Sequence, residues 1–309
     1  MAVNTVRVQI NGAWVALTKN ATTGKYEGTI AAPNITSYNV NGSHYYPVTA
    51  EATDLAGNIT TATDAHATLG SQLRLLVKEI TKPTIAFTAP ASGAHLASNT
   101  PAVSFQLLDE TNGSGIKIST LSIVVDGGTA LTNTSPGVVV TTVTGGYNVT
   151  YTPPAALSDG AHSIVVNIQD NDGNAATAVT RSFTVDTVPP TLNITTPAEA
   201  TSYRNTVALT VVGTTNDSTS SPVTVTVKLN AGAATSATVD GSGNFSKALT
   251  LVEGSNTITI VATDLAGKAT TVTRTVILDT VAPTVNSITI VPNPVNVGQS
   301  YIITVDVAD

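Results

Sequence analysis

The sequence predicts an all-β protein folded as a tandem of small β-sandwiches. Three features carry this reading: strand-like runs of period two, turn clusters between them, and two phrases that recur at a domain-sized spacing. The runs SIVVNIQ (163–169), VTVTVKLN (223–230) and TITIVATD (257–264) alternate apolar and polar residues, as strands with one buried face do. Asp-Gly-Gly from Asp126, Ser-Asp-Gly-Ala-His from Ser158, Asp-Gly-Ser-Gly-Asn from Asp240 and Val-Glu-Gly-Ser-Asn from Val252 separate them. Gly, Asn and Asp suit the left-handed backbone of tight turns. No segment sustains a 3.6-residue apolar period.

The first recurring phrase is ATDLAGNITTATD from Ala52, QDNDGNAATAVT from Gln169 and ATDLAGKATTVT from Ala262. Its Asp can bond backbone N–H groups and its Gly can take a positive φ, so it joins two neighbouring strands. The second is EITKPTIAFTAP from Glu79, VDTVPPTLNITTP from Val185 and LDTVAPTVNSITI from Leu278. Its Pro cannot donate to a ladder, so it opens an edge strand and stiffens the joint before it. The Pro-Thr pairs at 83–84, 190–191 and 283–284 lie roughly 90 to 110 residues apart, the length of a seven-strand sandwich. They divide the chain into 1–82, 83–189, 190–282 and a remnant at 283–309.

The T-x-x-P-T linkers and [TQ]-D-x-x-G-[NK] turns, above all VDTVPPT and ATDLAGN, resemble the tandem bacterial Ig-like domains of surface adhesins, filaments and phage structural proteins. The likeness spans nearly the whole chain. It implies Ig-like β-sandwiches strung in an elongated rod, an extracellular or cell-surface location (a phage virion is the alternative), and a spacer or display role.

Composition excludes several function classes. Only 11% of residues are charged and 13 are Lys or Arg, against a formal net charge of −7, so no basic surface tracks a phosphate backbone. Nucleic-acid binding is not expected. No apolar run reaches spanning length, so membrane insertion is not expected either. The opening MAVNTVRVQI lacks the charged and apolar regions of a signal peptide. With no Cys there is neither a disulfide nor a thiolate nucleophile. His44, His66, His95 and His162 are far apart and without metal-ligand spacing, so they read as surface residues. No nucleophile elbow, P-loop or zinc-protease motif occurs, and an enzyme is not expected. Asn20, Asn34, Asn58, Asn148 and Asn193 stand in N-x-S/T sequons, which an Asn- and Thr-rich chain produces by chance. Trp14, past the Asn11–Gly12 turn, reads as a packing residue.

Carboxylates are the one constellation with chemistry. Asp54, Asp170, Asp172 and Asp264 lie in the turns, and Asp186 and Asp279 in the linkers. In arrays of the kind this chain resembles, such carboxylates can share calcium at a domain junction. Calcium takes about six to eight oxygens, and each junction offers two or three acids, with Glu79 and Lys82 in the first linker. Simple turn capping needs no ion and is the reading the sequence favours; apart from calcium, no cofactor is expected.

The chain's two ends complement each other. Residues 83–189 and 190–282 each begin with two strands before the third: PTIAFTAP and AVSFQLLDE, then PTLNITTP and VALTVVGTT. NTVRVQINGAWVALTKNATTGKYEGTI matches a domain from its third strand onward, whereas NSITIVPNPV and QSYIITVDVAD match a first and second strand. The expected partner is therefore another copy, with 283–309 donated head to tail into the first domain of the next subunit to form a homopolymer. Ile288, Ile290, Val295, Val297, Ile302, Val305 and Val307 would form that interface. Burying five of them is worth on the order of 10 kcal/mol gross. The alternative is an adhesion or display module, or a piece of a longer array, whose loops Thr111–Ile116 and Thr214–Ser221 contact a host surface glycan or protein.

Overall fold

The computed structural model describes residues 2–309. Among them the chain is strand and turn, with short 3-10 turns at Ser37–Asn39, Gly70–Leu73 and Ile118–Thr120. It forms two compact units, one of Met1–Ala94 with Asn99–Thr184, the other of His95–Ser98 with Val185–Asp309.

The first unit opens with a lone sheet. Strands β1 (Val3–Ile10), β2 (Ala13–Lys19), β3 (Tyr26–Glu27), β4 (Tyr46–Asp54) and β5 (Ile59–Ala62) lie in the order β3-β2-β1-β4-β5, and β6 (Arg74–Leu75) pairs with β4. Asn11 and Gly12, at φ 48° and 80°, make the two-residue turn from β1 to β2. Val6, Val8 and Val15 share one face, yet all stay half-exposed, and among the described residues before Pro83 only Tyr46 is a buried apolar side chain. Among the described residues before Thr84 no second sheet is formed. Trp14 is not packed as the sequence suggests; it stands 39% exposed under the Arg7 guanidinium, which lies 4.3 Å above its ring and also pairs with Glu51.

The rest of this unit is a two-sheet sandwich. Its strands are β7 (Thr84–Ala89), β8 (Ala94–Leu96), β9 (Val103–Leu108), β10 (Ser122–Val125), β11 (Val138–Val143), β12 (Gly146–Tyr151), β13 (Gly160–Asn167) and β14 (Val179–Val185). They form sheets β11-β12-β9-β7 and β10-β13-β14-β8. Strict alternation buries Val103, Phe105 and Leu107 of β9 in one sheet, and Ile164 and Val166 of β13 with Phe183 of β14 are buried in the other.

In the second unit β15 (Thr191–Thr196), β16 (Thr201–Arg204), β17 (Ala208–Asn216), β18 (Thr224–Leu229), β19 (Thr235–Ser236), β20 (Thr238–Val239), β21 (Asn244–Thr250), β22 (Gly254–Thr263) and β23 (Ala269–Leu278) build a second sandwich. Its sheets are β15-β17-β21-β20 and β16-β23-β22-β18-β19, with β16 parallel to β23. Leu209, Val211, Val225, Val227, Phe245, Ile258 and Ile260 fill its centre.

A hairpin follows, β24 (Thr284–Val291) with β25 (Ile302–Ala308), in which every residue is exposed. Its pairing repeats that of the first two strands of each sandwich. Thr284 faces Ala308 as Thr84 faces Leu108 and Thr191 faces Asn216. In all three pairs the residue after Pro opposes the residue before an acid: Asp109, Asp217 or Asp309.

Candidate metal centres

Each sandwich gathers three carboxylates at one pole. In the first unit these are Glu79, Asp109 and Asp170; in the second, Asp186, Asp217 and Asp264, with one oxygen of each residue within 4.8 Å of the others in its trio. The two sets are built alike. A linker acid precedes the first strand, a second acid follows the strand paired with it, and an Asp opens the turn joining the last two strands.

Local hydrogen bonds fix each side chain and leave oxygens over. In the second unit, Asp186 Oδ1 accepts from Val188 N at 3.1 Å, Asp217 Oδ1 from Ser220 N at 2.7 Å, and Asp264 Oδ1 from Lys268 N at 2.9 Å. Asp186 is 1% and Asp264 6% exposed, and the buried Oδ2 of each has no hydrogen-bond partner. In the first unit, Glu79 Oε1 accepts from Ser114 N, and Asp109 Oδ2 from Gly115 N at 2.7 Å. Asp170 Oδ1 accepts from Gly173 N and Asn174 N at 2.6 and 2.8 Å. Glu79 Oε2 and Asp109 Oδ1 are buried without a partner.

The electrostatics follow from this crowding. Burial pushes the Glu79 carboxyl above its ordinary range, and the neighbouring Glu110 adds to the rise. Burial likewise raises Asp109, against the pull of the Gly115 N–H and with the charges of Glu79 and Asp170 reinforcing it. Buried carboxylate oxygens without donors are costly. A hard divalent cation answers both the repulsion and the missing partners, and an all-oxygen donor set suits it. The residues present therefore fit such an ion, with water and nearby carbonyls left to complete its shell.

The acids named from the sequence separate into two groups. Asp170, Asp186 and Asp264 enter the trios. Asp172 does not: its Oδ2 accepts from Thr36 Oγ1 at 2.5 Å and Glu79 N at 3.1 Å, tying the linker down. Asp54 caps its own turn, accepting from Ala56 N at 2.8 Å and Asn58 N at 2.9 Å, and Asp279 accepts from Val281 N at 2.9 Å. Asp109 and Asp217 were missed, although each ends a strand 30 or 31 residues after its linker acid. The loops Thr111–Ile116 and Thr214–Ser221 support the carboxylates through Ser114 N, Gly115 N, Thr219 N and Ser220 N.

The histidines lie apart, each in its own setting. His44 stacks on Tyr38, His66 bonds within its turn, and His95 Nδ1 lies 3.0 Å from Ser220 Oγ. His162 is no surface residue; it is 8% exposed, between Asp126 Oδ2 at 2.7 Å and the Ser158 carbonyl at 2.8 Å.

These sandwiches define a protein of tandem Ig-like domains. Residues 98–187 match the bacterial Ig-like domain, and residues 190–280 match domain B of glucodextranase. Among solved structures, the fibronectin(III)-like modules of Clostridium thermocellum CbhA are similar at 17% identity and TM-score 0.39, over 63% of this chain and 94% of that one. A Ca2+-stabilized adhesin with which an Antarctic bacterium reaches out and binds ice is similar at 19% identity and TM-score 0.31, over 89% of this chain and 66% of that one. A 1.5-MDa bacterial ice-binding adhesin gives 18% identity and TM-score 0.30, over 90% and 87%. No curated protein matches the chain.

Proposed function

We propose that this protein is a non-enzymatic structural subunit of an extracellular or cell-surface filament, stiffened by calcium and assembled by strand donation. One observation carries the reading. The hairpin β24–β25 exposes both faces, while the sheet β3-β2-β1-β4-β5 has an uncovered apolar face. In each complete sandwich the covering sheet is built on a strand pair of the hairpin's register, β7–β9 or β15–β17. The same pair from a second copy supplies what the lone sheet lacks.

The failure of β3 fits this reading. In the second unit, β21 follows an Asp-Gly turn and pairs with β17 over seven residue pairs. The matching stretch after Gly24 forms only Tyr26–Glu27, paired to β2. Without a β17 equivalent it lacks the longer ladder that β21 joins. A donated hairpin would provide that ladder and bury Ile288, Ile290, Ile303, Val305 and Val307, which share one face of it and are now 42–61% exposed; Ile302, named from the sequence, lies on the opposite face. Val295 and Val297, at 37% and 105%, lie in the connection between its strands. Such a contact is head to tail and propagates into a filament unless its rotation closes a ring. Calcium at the two trios follows from their unpartnered oxygens, and its role is to hold each linker to the pole of its sandwich.

Negative-stain microscopy and sedimentation of the whole chain in CaCl2 test the proposal. Filaments are expected, lost when residues 283–309 are deleted. A monomer at every concentration, unchanged by that deletion, overturns strand donation.

A further inference from the structure

We infer that residues 18–30 form a strap that changes sheets on assembly: in the single chain it lies against the apolar face of the lone sheet, and it must leave β2 to pair with the donated hairpin. The inference rests on the strand-donation reading and concerns its regulation.

The second sandwich shows where the matching segment goes. There β19 pairs with β18, and after the single residue Ala237 the chain crosses to the other sheet, where β20 pairs with β21. In the first domain no crossing occurs; β2 runs through to Lys19 and β3 follows it on the same sheet. The turns before β3 and β21 are nonetheless built alike. Gly24 N donates to the Asn20 carbonyl at 2.8 Å and Gly243 N to the Asp240 carbonyl at 3.0 Å, with φ of 70° and 79°. Tyr26 therefore corresponds to Phe245, each two residues past its glycine, and Phe245 is buried in the core opposite Gly213.

Tyr26 instead lies on the apolar face of the lone sheet. Leu17 pairs with Val6 and Lys19 with Tyr26, so alternation sets Tyr26 on the side of Val6, Val8, Val15 and Leu17. Its hydroxyl stands 3.5 Å from the Val3 carbonyl, and a Cβ on Gly28 would lie 2.9 Å from Leu17 Cδ2. The strap thus takes up part of the face that a donated hairpin has to cover. Its hold is short, with two ladder pairs to β2 against seven between β21 and β17. Leaving β2 forfeits little and joining a donated strand recovers more, so the exchange runs downhill only when a donor is present.

The chain contains no Cys, so one engineered disulfide tests the strap. Thr18→Cys with Glu27→Cys joins directly opposed residues of β2 and β3, at a spacing that disulfides accept. In CaCl2 the oxidised variant is expected to form no filaments by sedimentation and negative stain, and to regain them in dithiothreitol. Its donor hairpin is intact, so a small oxidised fraction should shorten wild-type filaments by capping growth at one end. An oxidised variant that polymerises like the wild type, or leaves wild-type filaments at full length, overturns the strap and leaves strand donation standing. A loss of assembly that reduction does not restore overturns it as well. A wild-type chain that stays monomeric at every concentration overturns strand donation itself.

Discussion

Asp186 and Asp264 bring carboxylate oxygens within 4.8 Å of each other, and the Oδ2 of each is buried without a donor. They lie 78 residues apart, one in a linker and one in a turn. Each is already used locally as a cap, so capping accounts for one oxygen of each and not the other.

Calcium is expected to raise the melting temperature of the second sandwich, by about 2.7 kcal/mol of stability at a hundredfold excess over Kd. Asp264→Asn should abolish the response. In EDTA the same variant should melt no lower than wild type, because it removes a repulsion. Calorimetry with and without calcium checks both; a large response retained by the variant contradicts the assignment.

Apolar residues in the sandwiches and in the hairpin should differ in cost. Ile260→Ala opens a cavity in a filled core and should cost about 2–5 kcal/mol. Val305→Ala, at a position 48% exposed, should cost about 0.5 kcal/mol or less in the monomer. If strands are donated, the same change should weaken filaments. Denaturant melts and filament sedimentation together separate these effects.

Gly243 sits at φ +79°, and a Cβ there would lie 2.0 Å from the Thr215 carbonyl oxygen. Gly243→Ala should destabilise the second sandwich by about 1–3 kcal/mol or more, through clash and left-handed strain together. Chemical denaturation reads the loss directly.

The first sandwich should lose stability as the medium turns alkaline. Burial opposes a charged imidazole, yet the hydrogen bonds from His162 to Asp126 and the Ser158 carbonyl raise it above its ordinary value. Its contribution is whole below about pH 6.5 and fades as pH climbs through the raised folded value. Burial also works against the Asp126 carboxylate, but His162 and the Ser163 N–H hold it low, so its share is present above about pH 4 and fades below that. The pair contributes most between those limits, about 1 kcal/mol or less given the exposed Asp126 side chain. Melting at pH 6 and pH 8.5 in excess calcium, with His162→Gln as the control, should show the fall in the wild type alone.

Much of the architecture was legible because it is local. Alternation in β9, β17 and β22 marks a strand with one buried face, and the Asp-x-x-Gly turns at Asp54, Asp170 and Asp264 specify their own hydrogen bonds from adjacent residues. The sequence by itself therefore determined the all-β class, the punctuation and the repeat. It did not mark Asp109 or Asp217, which look like any acid at a strand end. Nor did it separate Asp170 from Asp172, two residues apart, of which one faces the trio and the other holds the Glu79 N–H. Only the tertiary structure decided those roles, because a carboxylate trio draws on three segments far apart in sequence, and they meet only when two sheets pack and bring their strand ends to one pole.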